Sequence, residues 1–117
     1  MSDLDSLVPA WLSLPELAER LGIDVSRARQ LVRDRQVLAV RRGENNVLMV
    51  PERFTQNGQV LKGLPGTLQL LADARYSDDE AMRWLFTPDD SIPGAPVDAL
   101  AENRGTEIKR RAQALGF

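Results

Sequence analysis

The 117-residue chain contains no cysteine and no histidine. Without cysteine there can be no disulfide, no thiolate nucleophile and no Cys-ligated zinc. Without histidine, the commonest general base and the commonest metal ligand are both missing. Long apolar runs are absent as well: none approaches the roughly 18 residues that a membrane span needs. The opening, Met1-Ser2-Asp3-Leu4-Asp5, is acidic and lacks the basic and apolar regions of a secretion signal. These absences point away from an enzyme, a metal site, a cofactor or a membrane segment, and toward a cytoplasmic binding protein. The length suits one compact domain, or two small ones sharing a core.

Basic charge is also short overall, with a formal net charge of −2 and a pI of about 5.1, unlike most nucleic-acid-binding domains. Its distribution is uneven. Between Arg27 and Arg53 seven arginines face three acids, a net of +4, whereas between Asp73 and Glu107 nine acids face three arginines, a net of −6. Such asymmetry suggests two regions with different partners.

The local patterns predict a mainly helical fold. Ser13 and Glu16 have capping-box spacing ahead of a helix over 14–21, with Pro15 in its first turn and Gly22 closing it. Asp24 is a good N-cap for a second helix from Val25 to about Arg35. On it Val25, Ala28, Leu31 and Val32 share one face, while Ser26, Gln30 and Arg33 lie opposite, flanked by Arg27 and Arg29. Two apolar runs, 37–42 and 47–51, flank the turn Gly43-Glu44-Asn45-Asn46 and predict a β-hairpin. Residues 52–63 are mixed, with a short helix or loop around Phe54. Further helices are expected from Leu64 to about Arg75, from Ser77 to Pro88 with Ala81, Trp84 and Leu85 buried, over 97–103, and from a Thr106 cap to Leu115. The resulting division is a short loose tail (1–11), a winged helix-turn-helix domain (12–56) and a helical C-terminal domain (57–117).

Helix, tight turn, helix and hairpin in that order make a winged helix-turn-helix. Its second helix is narrow enough to enter the major groove of DNA, where base edges display a readable pattern of donors and acceptors. Arg can pair with guanine and Gln with adenine, so Gln30 and Arg33 are the expected base readers. Ser26, Arg27 and Arg29 are expected to read bases or hold phosphates. Arg41 and Arg42 on the wing, with Arg53 and Lys62 beyond it, are expected to hold the backbone. The plain alternative is that these arginines only solvate an amphipathic helix and a hairpin.

The segments Leu12-Ser13-Leu14-Pro15-Glu16-Leu17-Ala18-Glu19-Arg20-Leu21-Gly22-Ile23 and Val32-Arg33-Asp34-Arg35-Gln36-Val37 resemble MerR-type and excisionase-type DNA-binding domains. The whole chain resembles a small actinobacterial winged helix-turn-helix family. The strings Asn57-Gly58-Gln59-Val60, Gly63-Leu64-Pro65-Gly66, Met82-Arg83-Trp84-Leu85-Phe86-Thr87-Pro88 and Arg110-Arg111-Ala112-Gln113-Ala114 carry that resemblance. A mycobacterial member of this family is a substrate of a Ser/Thr protein kinase. The resemblance implies DNA binding and a regulatory role, and it raises a Ser/Thr kinase as a partner. No threonine precedes Thr55 here, so Ser2, Ser6 and Ser13 are the N-terminal hydroxyls such a kinase would meet. The stretch from Ala81 to Leu100, with Trp84-Leu85 and Gly94-Ala95-Pro96, is similar to the toxin-binding domain of Xre/MbcA/ParS-type antitoxins.

Three readings follow. The first is a DNA-binding transcriptional regulator with double-stranded DNA as its partner. The second is a protein-interaction module that uses the acidic C-terminal helices. The third, an enzyme or metal site built on Asp78, Asp79 and Glu80, is weak, because their place after Ser77 is explained by helix capping and adjacent helical positions point apart. No heptad run supports a MerR-type coiled-coil dimer. A monomer and a dimer through the C-terminal helices both remain open. Lys109-Arg110-Arg111 suits either the dipole of the last helix or an extra phosphate contact.

Overall fold

A computed structural model describes residues 4–89 and 94–115. Its helices begin where short polar side chains can cap them. Ser13 Oγ accepts from the Glu16 N–H at 3.3 Å and Glu16 Oε1 accepts from the Ser13 N–H at 2.9 Å, which starts α2 (Leu14–Leu21). Gly22, at φ 69°, ends α2 and donates back to Ala18 and Glu19. Asp24 then caps α3 (Val25–Arg33) by accepting from the Arg27 N–H at 2.7 Å. The interval between the helices is short, so α2 and α3 pack together, with Leu17, Ala18 and Ala28 buried. α3 stops two residues earlier than its pattern predicts, because Arg35 turns left-handed at φ 55°.

The wing is β2 (Val40–Arg42) and β3 (Val47–Pro51), paired antiparallel with Val40 opposite Met49 and Arg42 opposite Val47. A third strand, β1 (Trp11–Ser13), lies on the far side of β3 with Leu12 opposite Val50, so the sheet order is β1-β3-β2. The expected loose tail at 1–11 is therefore corrected. Leu4–Leu7 form a short helix, α1, packed against the later helix Asp78–Phe86, and Leu4 and Val8 are almost fully buried. The reason is tertiary: two apolar groups find cover only once the distant helices have assembled. Residues 1–3 lie outside the described part.

Pro51 leads into a 3₁₀ turn, Glu52–Phe54, then a two-residue hairpin of β4 (Thr55–Gln56) and β5 (Gln59–Val60). Asn57 and Gly58 both have positive φ, which this tight turn requires. Four helices follow: α4 (Leu64–Asp73), α5 (Asp78–Phe86), α6 (Pro96–Ala101) and α7 (Gly105–Ala114). Ser77 and Glu80 repeat the reciprocal cap at the start of α5. The buried stripe of α5 is Ala81, Met82, Leu85 and Phe86; Trp84, expected inside, is only half-buried. α7 begins two residues earlier than expected, with Arg104 rather than Thr106 at its N-cap position. Residues 90–93, between α5 and α6, lie outside the described part.

The fold is thus a winged helix-turn-helix followed by a helical C-terminal part, and one core runs through both. Phe54, with no exposed surface, packs against Phe86 with the ring centroids 5.7 Å apart and the planes tilted by 37°. Two ion pairs join the parts on the outside. Arg35 reaches Asp78 at 2.6 Å, and Arg53 pairs with Asp98. Gln56 Nε2 donates to the Ala101 carbonyl at 3.0 Å.

Candidate nucleic-acid interface

Helical periodicity decides which side chains α3 offers to solvent. Ala28 is fully buried and Val25, Leu31 and Val32 are half-buried against the rest of the molecule. Ser26, Arg27, Arg29, Gln30 and Arg33 are all exposed. The nine residues of α3 contain three arginines and no acid. Among the described residues, the guanidinium groups of Arg27, Arg29 and Arg33 have no ion-pair or hydrogen-bond partner. This contrasts with Arg20, Arg35, Arg53, Arg83, Arg104 and Arg111, each of which pairs with a carboxylate. Gln30 Nε2 makes only a long contact, 3.4 Å, to Asp34 Oδ2 and can exchange it at little cost. Cations left without acids on an exposed helix face retain their full donor capacity for an external anion.

The wing adds two more arginines. They are neighbours in β2, so they point to opposite faces of the sheet. Arg41 is exposed and donates from Nη1 to the Asn46 carbonyl at 2.9 Å, which ties it across the wing's own turn. Arg42 lies over the Trp11 ring, 4.3 Å from guanidinium carbon to ring centroid. Val47, opposite Arg42, is one of the two large apolar side chains found exposed among the described residues.

The remaining two expected residues are placed elsewhere. Arg53 follows the end of β3, where the 3₁₀ turn buries Phe54, and its guanidinium is committed to Asp98 of α6. Arg53, expected to hold a DNA backbone, thus has its guanidinium paired within the protein, at the half-exposed seam between the wing and α6. Lys62 is exposed but lines a hollow of about 480 Å³ together with Gln56, Asn57 and residues 100–103. It thus belongs with α6 rather than with α3 and the wing. Trp11 is the residue that sequence reasoning missed. Its place under Arg42 depends on β1 pairing with β3, which no local pattern announces.

The acidic cluster after Ser77 resolves into three separate engagements. Asp78 holds Arg35, Asp79 holds Arg83 at 2.8 Å, and Glu80 caps α5. The Ser77 backbone N–H, and then its hydroxyl, hold the Glu80 carboxyl below the usual range. The Ser13 backbone N–H and hydroxyl do the same for Glu16. Of the hydroxyls considered for a kinase, Ser13 is used in a cap, Ser6 is exposed on α1, and Ser2 lies outside the described residues. In the basic cluster of α7, Arg111 is taken up by Glu107 and Asp89, whereas Lys109 and Arg110 are exposed. No helix among the described residues is long and apolar enough to cross a membrane.

Two family models match the chain. One, described as the wHTH domain of DNA-binding protein Rv2175c, matches residues 2–55; the other, the Rv2175c C-terminal domain of unknown function, matches residues 61–116. Among curated proteins, DNA-binding protein Rv2175c of Mycobacterium tuberculosis is 43% identical over 126 residues, which span 97% of this chain and 85% of that protein. Among solved structures, the NMR structure of Rv2175c matches with a TM-score of 0.84 and 41% identity, covering 97% of this chain and 86% of that one.

Proposed function

The chain belongs to the Rv2175c family, and from that premise we propose that it binds double-stranded DNA and acts as a transcriptional regulator. α3 enters the major groove, with Gln30 and Arg33 at base edges and Ser26, Arg27 and Arg29 at bases or phosphates. The hairpin follows alongside, with Arg41 and Arg42 on the backbone or in the minor groove. The observation that carries this reading is the set of three arginines on α3 without acid partners, in a protein that pairs most of its other arginines.

Binding driven by such contacts gains its energy from released counterions, so each phosphate neutralised adds about −0.9 to the slope of log K against log salt. If Arg27, Arg29, Arg41 and Arg42 take phosphates while Arg33 reads a base, the slope is about −3 to −4. The acidic C-terminal helices repel the backbone and so restrict how the duplex can dock. Leu85, Leu100 and Ile108 are buried in the protein's own core. That supports DNA, rather than a toxin-like protein held on these helices, as the ligand. Fluorescence anisotropy with a labelled duplex at several salt concentrations tests the reading. Wild type should bind with the stated slope, and the Arg27→Ala, Arg29→Ala, Arg33→Ala variant should lose most of the affinity and about two units of slope. Equal binding by the two proteins would refute it.

A further inference from the structure

Two hollows lie side by side where the second hairpin meets α6 and α7. The larger, about 480 Å³, takes in Gln56, Asn57 and Gln59 on the hairpin and Glu102 and Asn103 after α6. The smaller, about 190 Å³, lies between Lys62-Gly63 and the first turns of α7, at Gly105, Thr106 and Lys109. They share Lys62, Leu100 and Asn103, so they make one groove with the buried Leu100 beneath both halves.

The two ends of the groove differ in charge. The smaller hollow is lined by two lysines and no acid. Neither Lys62 nor Lys109 has an ion-pair or hydrogen-bond partner among the described residues, unlike Arg104 and Arg111 nearby, both held by Glu107. Lys109 also lies against Gly66 of α4, where a Cβ would come about 3.0 Å from its Cε and 3.1 Å from its Nζ. A bare glycine thus leaves room for the amine beside the hollow. The larger hollow carries amides and one carboxylate instead. Gln56 is committed to the Ala101 carbonyl, but the side-chain amides of Asn57, Gln59 and Asn103 have no internal partner among the described residues.

We propose that this groove binds a small phosphorylated polyol of the sugar-phosphate class, at a site separate from α3 and the wing and independent of the DNA-binding reading. Lys62 and Lys109 take the phosphate through charge-assisted hydrogen bonds, and the Thr106 hydroxyl can donate a further one. Asn57, Gln59 and Asn103 both donate to and accept from sugar hydroxyls, and Glu102 accepts from them. The Glu102 charge also turns the phosphate toward the lysines. Small-molecule sites occupy about 300–1,000 Å³, and the larger hollow falls in that range. A single phosphate needs only the two lysines. A DNA backbone would meet the net −6 of residues 73–107 as well, so the ligand is small.

The test is a titration of the ¹⁵N-labelled protein at constant ionic strength with ribose 5-phosphate, inorganic phosphate and ribose. Ribose 5-phosphate should shift amides at 57–63 and 100–109 saturably, and bind about tenfold tighter than inorganic phosphate through its added hydroxyl contacts. Inorganic phosphate should move the residues around Lys62 and Lys109, and ribose alone should move neither set. Lys62→Ala and Lys109→Ala should each weaken ribose 5-phosphate about tenfold. Gly66→Ala keeps both charges but crowds the Lys109 amine, and should weaken binding about threefold. Its thermal midpoint should hold or rise, since alanine suits a helix interior better than glycine, which separates displacement of the amine from loss of the fold. No saturable shift with ribose 5-phosphate, or unchanged binding by the Lys62→Ala, Lys109→Ala double variant, would overturn the site. Equal affinity for inorganic phosphate and ribose 5-phosphate would overturn the sugar assignment. Shifts at these amides with a duplex and not with ribose 5-phosphate would give the groove to DNA and overturn the proposal. Failure of the sugar phosphate to bind leaves DNA binding by α3 untouched, and failure of duplex binding leaves this site untouched.

Discussion

Replacing Phe54 with Ala should loosen both parts of the molecule together. Phe54 is fully buried where the 3₁₀ turn leaves the wing, its carbonyl accepts from the Leu61 N–H at 2.9 Å, and its ring packs on Phe86 of α5. Removing a buried phenyl costs about 3–5 kcal/mol through lost transfer energy and the cavity left behind. The pairing with Phe86, worth about 0.5–1.5 kcal/mol beyond burial, places this site in the upper half of that range. For a chain of this size each kcal/mol moves the midpoint by roughly 3–5 °C, so thermal unfolding should fall by about 12–25 °C. The chain supplies two probes: Trp11 lies in the wing sheet and Trp84 in α5. Urea unfolding followed by fluorescence in Trp84→Phe and Trp11→Phe backgrounds reports each part separately. Phe54→Ala should lower both midpoints equally. A drop seen by Trp11 and not by Trp84, or no drop at all, would refute the claim that one core spans the wing and the C-terminal helices.

Three further outcomes are expected. The carboxyls of Glu16 and Glu80 are held below their ordinary value of 4.5 by Ser13 and Ser77, so the stability they contribute is complete above that value and is lost as pH falls through their lowered folded values. Glu16→Gln with Glu80→Gln should therefore lower stability at neutral pH and flatten the acid limb of a pH series of unfolding midpoints; an unchanged acid limb would count against the caps. Arg53→Ala breaks a half-exposed pair with Asp98 and should cost at most about 1 kcal/mol, with no change in the salt slope of DNA binding; a slope reduced by about one would return Arg53 to the interface. Gly63→Ala forces a side chain at φ 85° with its Cβ about 3.1 Å from Leu100 Cδ2, and calorimetry should show a loss of about 1–3 kcal/mol, larger than for Gly22→Ala, whose Cβ would meet nothing within 4 Å.

What could be read from the chain, and what could not, follows from the range of the interactions involved. α2 and α5 announce themselves because Ser13–Glu16 and Ser77–Glu80 satisfy their first N–H groups within three residues. The exposed face of α3 follows from its period, so Ser26, Arg27, Arg29, Gln30 and Arg33 fall together as expected. Leu4, Val8 and Trp11 were illegible because their partners are α5 and β3, far along the chain. Arg53 looked like Arg41, but its partner Asp98 lies 45 residues away. The β4–β5 hairpin is a different case: Asn57-Gly58 is a strong local turn signal, but its strands have only two residues each and show no alternation to accompany it.

The central claim is that DNA lies on α3 and the wing rather than on the C-terminal helices. Amide chemical-shift mapping of the ¹⁵N-labelled protein titrated with a short duplex tests it directly. The account predicts shifts concentrated at residues 24–35 and 40–48, with α4 to α7 nearly silent beyond the seam. Shifts centred on Lys62, Lys109 and Arg110, with α3 unmoved, would contradict it.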